Sequence, residues 1–124
     1  TGLPAQNLTL FEMSSDFVDH LRRQIPQVVV HHAPAQAAVG LVPKGAERVI
    51  SGLPLLSMPV ELRRSIVGAA FEILAQDGTY TQFTYGPTPP LSSELMEDLG
   101  ITFTKGAKVW ANLPPARVYH FRKL

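Results

Sequence analysis

Apolar residues along this chain change their spacing repeatedly, and each change marks an element. Leu8-Thr9-Leu10-Phe11 is a short apolar run closed by Glu12-Met13, which predicts a buried strand ending in an acid. Phe17, Val18, Leu21 and Ile25 then recur at helical spacing. Ser14 or Ser15 can cap that helix, Asp16 sits in its first turn and Arg22-Arg23 in its last, and Pro26 ends it. Val28-Val29-Val30-His31 is β-branched and predicts a second strand. Loop chemistry at Pro34, Gly40, Pro43 and Gly45 separates it from a third strand, Arg48 to Ser51. Ile66, Val67, Ala70, Ile73 and Leu74 share one face of a long helix from Pro59 to Gln76, with Gly78 just beyond as its closing residue. Thr79 to Tyr85 reads as a fourth strand, broken by Pro87, Pro89 and Pro90. Ser92 to Leu99 forms a short helix stopped by Gly100. Ile101 to Leu113 and Ala116 to Phe121 read as two strands joined at Asn112-Leu113-Pro114-Pro115, a closing hairpin.

The order β-α-β-β-α-β-α-β-β predicts an α/β fold, a mostly parallel sheet with an antiparallel edge. Its 124 residues suffice for one domain, and 45% apolar content argues against disorder. A net charge of +1 gives no bulk attraction to nucleic acid. The absence of cysteine removes disulfides, thiolate zinc sites and thiol catalysis, and fits a reducing compartment. No apolar run is long enough to span a membrane, and no signal peptide opens the chain. His31 and His32 are adjacent, so in a strand they point to opposite faces, and His20 and His120 show no ligand spacing. We therefore expect no metal site. Neither a Ser-His-Asp nor a Cys-His arrangement is visible.

The stretch Val49-Ile50-Ser51-Gly52-Leu53-Pro54-Leu55-Leu56-Ser57-Met58-Pro59 carries the most chemistry. An apolar strand runs into a rigid loop, and a helix opens at Pro59. In an open α/β sheet, ligands bind at this carboxyl edge. Pro54 fixes φ and lacks an N–H, so neighbouring carbonyls are expected to face the crevice as free acceptors. Such acceptors suit an amine.

Three segments in register go further: Ile50 to Pro59, Gln82-Phe83-Thr84-Tyr85-Gly86-Pro87, and Asn112-Leu113-Pro114-Pro115-Ala116-Arg117-Val118-Tyr119. From Leu8 onward the chain resembles the bacterial phospholipid N-methyltransferases, which use S-adenosylmethionine to methylate phosphatidylethanolamine stepwise toward phosphatidylcholine. That family is similar in fold to the rRNA adenine dimethyltransferases. The resemblance implies a Rossmann-like class I methyltransferase sheet. The family's first strand and its Gly-rich turn, which holds the methionine part of the cofactor, have no counterpart in this sequence. Nor does the family's amino-terminal membrane-binding helix. The chain, which begins at Thr1-Gly2-Leu3-Pro4, thus corresponds to the carboxyl-terminal two-thirds, and residues 1–124 are expected to be a single, amino-terminally truncated domain. The absent strand would lie between the strand ending at Glu12 and the strand ending at Ser51. Its loss implies two unpaired inner edges, weak cofactor binding by this chain alone, and self-association.

The resemblance also implies roles. Glu12 would hold the ribose hydroxyls of S-adenosylmethionine, since one carboxylate accepts from two vicinal hydroxyls. Met13 would lie against the adenine. Ala33 stands where the family usually carries an Asp that addresses the adenine amino group, which weakens that contact or leaves it to the backbone near Ala33 and Pro34. Ser51, Gly52, Leu53 and Pro54 match the methyl-transfer loop, Ser51 also touching the cofactor and Gly52 allowing close approach, against the plainer role of a strand-to-helix turn without chemistry. Tyr85 would face the substrate ammonium by cation–π attraction. Plainer roles compete: a solvated acid for Glu12, core packing for Met13, a half-buried strand residue for Tyr85. Tyr80, Trp110 and Tyr119 read as core, Arg63 and Arg64 as the solvent side of the long helix. Arg117, with Arg122 and Lys123, can meet a lipid phosphate or simply be solvated. The implied setting is cytoplasmic, peripheral to the inner membrane, with a phospholipid partner and no nucleic acid. Two other readings stay open: the same fold acting on another amine such as an RNA adenine, and a truncated, non-catalytic interaction or structural protein.

Overall fold

A computed structural model describes residues 4–85, 88–109 and 116–124. After a 3-10 turn at Ala5–Asn7 come β1 (Thr9–Glu12), α1 (Ser15–Gln24) and β2 (Val29–His32). A second 3-10 turn, Ala35–Ala37, runs into α2 (Ala38–Leu41). Then follow β3 (Ala46–Ser51), a 3-10 turn at Leu55–Ser57, α3 (Val60–Ile73) and β4 (Leu74–Tyr85). The chain closes with α4 (Ser93–Leu99), β5 (Ile101–Val109) and β6 (Ala116–Lys123).

The strands form two sheets. β1 and β2 pair in parallel, and Glu12 lies opposite His32. The second sheet has the order β3-β4-β6-β5. β3 and β4 are parallel, while β6 runs antiparallel to both β4 and β5. The expected α/β fold with an antiparallel terminal hairpin is therefore present, and β6 alone runs against its neighbours. The sheet is divided between β1 and β3, where the resemblance puts the absent strand. The 3-10 turn and α2 after β2 pack against α3, which links the two sheets through helices rather than strands.

Two apolar clusters hold the pieces. Val18 of α1 packs with Val28 and Val30 against Leu10, Leu21 and Ile25. The larger cluster joins Ile66, Val67, Ala70 and Phe71 of α3 to Tyr80, Tyr119 and Phe121 of the sheet, with Leu91 and Leu95 closing it. Cross-strand register aligns Val49, Tyr80, Phe121 and Phe103 in one row and Ser51, Gln82 and Tyr119 in the next. Ring centroids in this layer are 5.8 Å apart for Phe71–Tyr80 and 5.5 Å for Phe103–Tyr119. Such pairs add about 0.5–1.5 kcal/mol each beyond area burial. Tyr80 and Tyr119 are thus core residues, as expected. Trp110 lies outside the described residues.

Local signals held at the caps. The Ser14 hydroxyl accepts from Phe17 N at 3.3 Å, and the Ser92 hydroxyl from Leu95 N at 3.1 Å. Gly100 ends α4 in the left-handed region, at φ 66°. Elsewhere tertiary contacts override the pattern. α3 stops at Ile73 rather than Gln76, because Leu74 turns extended and pairs with Ala46. Two freed carbonyls find partners from afar: Ile73 O accepts from Gly45 N and Leu74 O from Lys123 Nζ, each at 2.8 Å. Gly78 is consequently a strand residue and not a helix cap. Glycine is needed there because a Cβ would meet Leu74 Cδ2 at 2.8 Å and Ala46 O at 3.0 Å. β3 starts two residues earlier than expected, at Ala46, and the short helix α2 was not foreseen. Arg63 is half-buried instead of solvated, its guanidinium donating to Met58 O at 3.0 Å. Arg64 is half-buried as well and pairs with Asp98 at 3.0 Å.

Candidate functional site

β1 and β2 end side by side. The Glu12 carboxylate is half-buried at the end of β1, and Oε1 accepts weakly from Ser14 N at 3.3 Å. This leaves acceptor capacity for a diol. Met13 is 63% exposed, which argues against simple core packing for its side chain. Its carbonyl contacts His32 Nε2 at 2.9 Å. His31 packs against Phe11 with the rings tilted and centroids 5.1 Å apart, so the two histidines diverge as strand geometry requires. Ala33 and Pro34 follow, half-buried, and Pro34 O accepts from Ala37 N at 3.0 Å to start the 3-10 turn. Among the described residues, no three His, Cys, Asp or Glu gather into a metal-binding group.

The loop after β3 is built differently from its expectation. Pro54 has φ −79° and ψ 70°, and Leu55 N donates to Leu53 O at 2.8 Å. That is an inverse γ-turn, with proline at its centre. Leu53 O also accepts from Gln82 Nε2, again at 2.8 Å. Both of its lone pairs are therefore in use. The Pro54 carbonyl accepts from Ser57 N at 3.0 Å. So the expectation that proline leaves Leu53 and Pro54 with free carbonyls is corrected: the turn that proline favours uses them. The Ser51 hydroxyl accepts from Leu53 N at 3.2 Å, and Ser51 itself is buried. Gly52 is exposed.

Gln82 organises this loop from the neighbouring strand. It is fully buried, directly opposite Ser51 in the β3–β4 register. Its amide donates to Leu53 O and to Phe83 O (2.9 Å), and its Oε1 accepts from Tyr80 OH at 2.7 Å. Turning the amide over would set its oxygen against two carbonyls, so the hydrogen bonds fix its orientation. Burial pushes the Tyr80 hydroxyl up to about 12, only partly offset by the Ser51 side chain beside it. Tyr80 thus stays a neutral donor to Gln82. The sequence reading missed Gln82, although strand alternation sets it on the same face as Tyr80, which was already read as core.

Other residues separate. The Tyr85 backbone ends β4 opposite Ala116, but its side chain lies outside the described residues. Gly86, Pro87 and Asn112 to Pro115 also lie outside them. Arg117 pairs with Thr84 near the Tyr85 end of β4, whereas Arg122 and Lys123 lie at the other end of β6. Five residues of strand put them about 17 Å from Arg117, and the Lys123 ammonium is already bound to Leu74 O. The three basic residues do not form one phosphate site.

The arrangement defines a methyltransferase-like α/β fold, of the partial Rossmann-like class I type. Solved structures similar to this chain include a TehB-like SAM-dependent methyltransferase from Corynebacterium glutamicum, 12% identical, with a TM-score of 0.66 over 93% of this chain and 67% of that one. Magnesium protoporphyrin IX methyltransferase from Synechocystis, solved with bound SAM, is 9% identical with a TM-score of 0.68 over 94% and 59%. An rRNA methylase from Streptococcus thermophilus is 13% identical with a TM-score of 0.66 over 94% and 72%. No protein-family model and no curated protein matches the sequence.

Proposed function

We propose that this protein transfers a methyl group from S-adenosylmethionine to the amine of phosphatidylethanolamine and its methylated forms. The observation that carries methyl transfer is the likeness to methyltransferase structures across both sheets, covering 93% or more of the chain. The lipid substrate rests on the three sequence segments that resemble the phospholipid N-methyltransferases.

The residues fit the cofactor in part. Glu12 supplies an acceptor for ribose hydroxyls, and Ala33 and Pro34 supply an apolar surface without a side-chain donor, suited to an adenine face. When bound, the cofactor supplies a methyl group already activated on a sulfonium, so covalent catalysis by the protein is not needed. What remains for this chain is to position the amine and strip water from it. The rigid turn at Leu53–Leu55 provides the positioning surface. Among the described residues no helix is long and apolar enough to cross a membrane. The proposed encounter with the lipid is at the membrane surface, with the protein peripheral to the inner membrane on its cytoplasmic side, as the resemblance implies.

An rRNA methylase is among the similar structures, which keeps an RNA adenine as the second substrate reading. A net charge of +1 weighs against it, because RNA binding normally uses a basic surface. The edges of β1 and β3, which have no strand partner among the described residues, are also expected to promote self-association. Methyl-labelled S-adenosylmethionine offered with phosphatidylethanolamine vesicles and, separately, with RNA tests the choice. Label in the lipid supports the proposal, and label in RNA alone replaces it with the second reading.

A further inference from the structure

We propose that Arg117, with Lys108 directly across the β5–β6 ladder, binds the phosphodiester of the lipid whose amine receives the methyl group. The inference rests on the proposed function and adds a second point at which the substrate is held.

The small net charge hides a segregated distribution. Lys105, Lys108, Arg117, Arg122 and Lys123 are five of the eleven basic residues, and between Gly100 and Leu124 there is no Asp or Glu. The paired strands β5 and β6 are therefore cationic along their length. Arg122 and Lys123 lie at one end, where Lys123 already donates to Leu74 O. At the other end the register sets Thr84, Arg117 and Lys108 in one row across β4, β6 and β5. Like charges directly opposite each other in an antiparallel pair repel. No carboxylate offsets this at Arg117. Every Asp and Glu lies among the described residues, and the ion pair found among them is Arg64–Asp98. An anion seated on the row turns the repulsion into attraction.

The row also lies where a phosphate is needed. Tyr119 pairs with Gln82, and Gln82 holds the turn after β3 through Leu53 O. Arg117 is two residues nearer the carboxyl edge than Tyr119, on the same face by strand alternation. One strand spacing and two residues of rise put its Cα about 8 Å from that of Gln82. Tyr119 is fully buried and Arg117 half-buried, so the core ends between them and the row forms its rim. In an ethanolamine phospholipid, two carbons and an ester oxygen separate the amine nitrogen from phosphorus. That span is comparable to the reach of one arginine side chain. With the amine at the Leu53 turn, the phosphate falls to the rim. Arginine's planar fork donates two parallel hydrogen bonds to phosphate oxygens, and a lysine opposite adds a second positive charge.

The phosphate is untouched while the amine gains methyl groups. The contact is thus equal in ground state and transition state, and at every methylation step. Such uniform binding acts on KM and not on kcat. RNA also carries phosphodiesters, but its binding draws on cations spread along many phosphates. Here the far end of β6 is occupied by Leu74 O, and one row suits one phosphate.

Arg117→Gln is expected to raise KM for phosphatidylethanolamine in phosphatidylglycerol vesicles at least about tenfold, with kcat within about twofold and Arg117→Lys recovering part of the loss. Arg117→Glu sets an acid opposite Lys108. It is expected to keep or raise the melting temperature while raising KM further, a combination that a merely structural role does not give. Glycerophosphoethanolamine, inorganic phosphate, ethanolamine and a short RNA are each titrated into the ¹⁵N-labelled protein. Glycerophosphoethanolamine is expected to shift the Arg117 Nε–H and the Thr84 amide at lower concentration than the other three. Wild-type KM in Arg117→Gln overturns the proposal. An equal response to inorganic phosphate, or a stronger one to RNA, overturns the lipid assignment. If the unmodified protein methylates no amine, the methyl-transfer reading falls, and the titration still decides whether Arg117 holds a lipid head group.

Discussion

Gln82 Nε2 donates to Leu53 O across 2.8 Å, from a fully buried side chain on β4 to the turn that follows β3. One amide thus ties the loop at the carboxyl edge of the sheet to its aromatic core. Truncation to Leu leaves the Tyr80 hydroxyl without its acceptor and removes one of two donors from Leu53 O. We expect Gln82→Leu to cost about 1–3 kcal/mol in urea denaturation. Tyr80→Phe is expected to cost less, since Gln82 keeps both of its donor bonds.

Alkaline unfolding reads the Tyr80 hydroxyl directly. Its pKa is raised from 10.0 to about 12 in the folded protein. The unfolded chain therefore releases this proton first, and the folded state binds more protons in between. Stability is fully present below pH 10 and falls as pH rises toward 12, by up to about 1.4 kcal/mol per pH unit for this group. Urea midpoints at increasing pH should fall more steeply for the wild type than for Tyr80→Phe. Equal slopes would show that Tyr80 ionises freely in the fold.

Tyr119 offers the opposite case. It is fully buried, and among the described residues its hydroxyl has no hydrogen-bond partner. An unmet buried hydroxyl costs about 1–3 kcal/mol, so Tyr119→Phe should raise the melting temperature or leave it unchanged. A clear loss of stability would reveal a partner for that oxygen.

Two glycines should respond in opposite ways to alanine. At Gly78 the new Cβ would lie 2.8 Å from Leu74 Cδ2 and 3.0 and 3.1 Å from two backbone oxygens, so Gly78→Ala is expected to destabilise by about 1–3 kcal/mol. At Gly52 there is open space, and Gly52→Ala should melt with the wild type. Thermal unfolding of both variants side by side makes the comparison.

The edges of β1 and β3 lead to a hydrodynamic prediction. Residues 1–124 alone should self-associate with rising concentration, and should bind S-adenosylmethionine weakly in calorimetric titration. Ile50, on the edge strand β3, is 71% exposed. Ile50→Lys places a charge there and should shift sedimentation toward monomer. A monodisperse wild-type monomer binding the cofactor at micromolar concentration would contradict the prediction.

Much of the fold was legible because it depends on short-range signals. Periodicity located β1, α1 and β2, and Ser14 or Ser15 marked the start of α1 and Gly100 the end of α4. The end of α3 was not legible, because Gly45 and Lys123, both distant in sequence, satisfy its last carbonyls. Gly78 was misread for the same reason, since the backbone oxygen that crowds its Cβ position belongs to Ala46, distant in sequence. At the site, the residue types of the loop were visible but their hydrogen bonds were not. Pro54 signals a turn equally well whether the flanking carbonyls are free or used. The contacts from Leu55 N and from Gln82, on another strand, show that Leu53 O is spoken for.

Methyl transfer to a lipid amine leaves a product that can be identified by its label. The protein expressed from its whole reading frame is incubated with methyl-labelled S-adenosylmethionine and vesicles of phosphatidylethanolamine in phosphatidylglycerol, with an RNA pool as a parallel acceptor. The account predicts label in monomethyl- and then dimethyl-phosphatidylethanolamine, and none in RNA. Label confined to RNA or to a soluble amine, with the lipid unmodified, would contradict it.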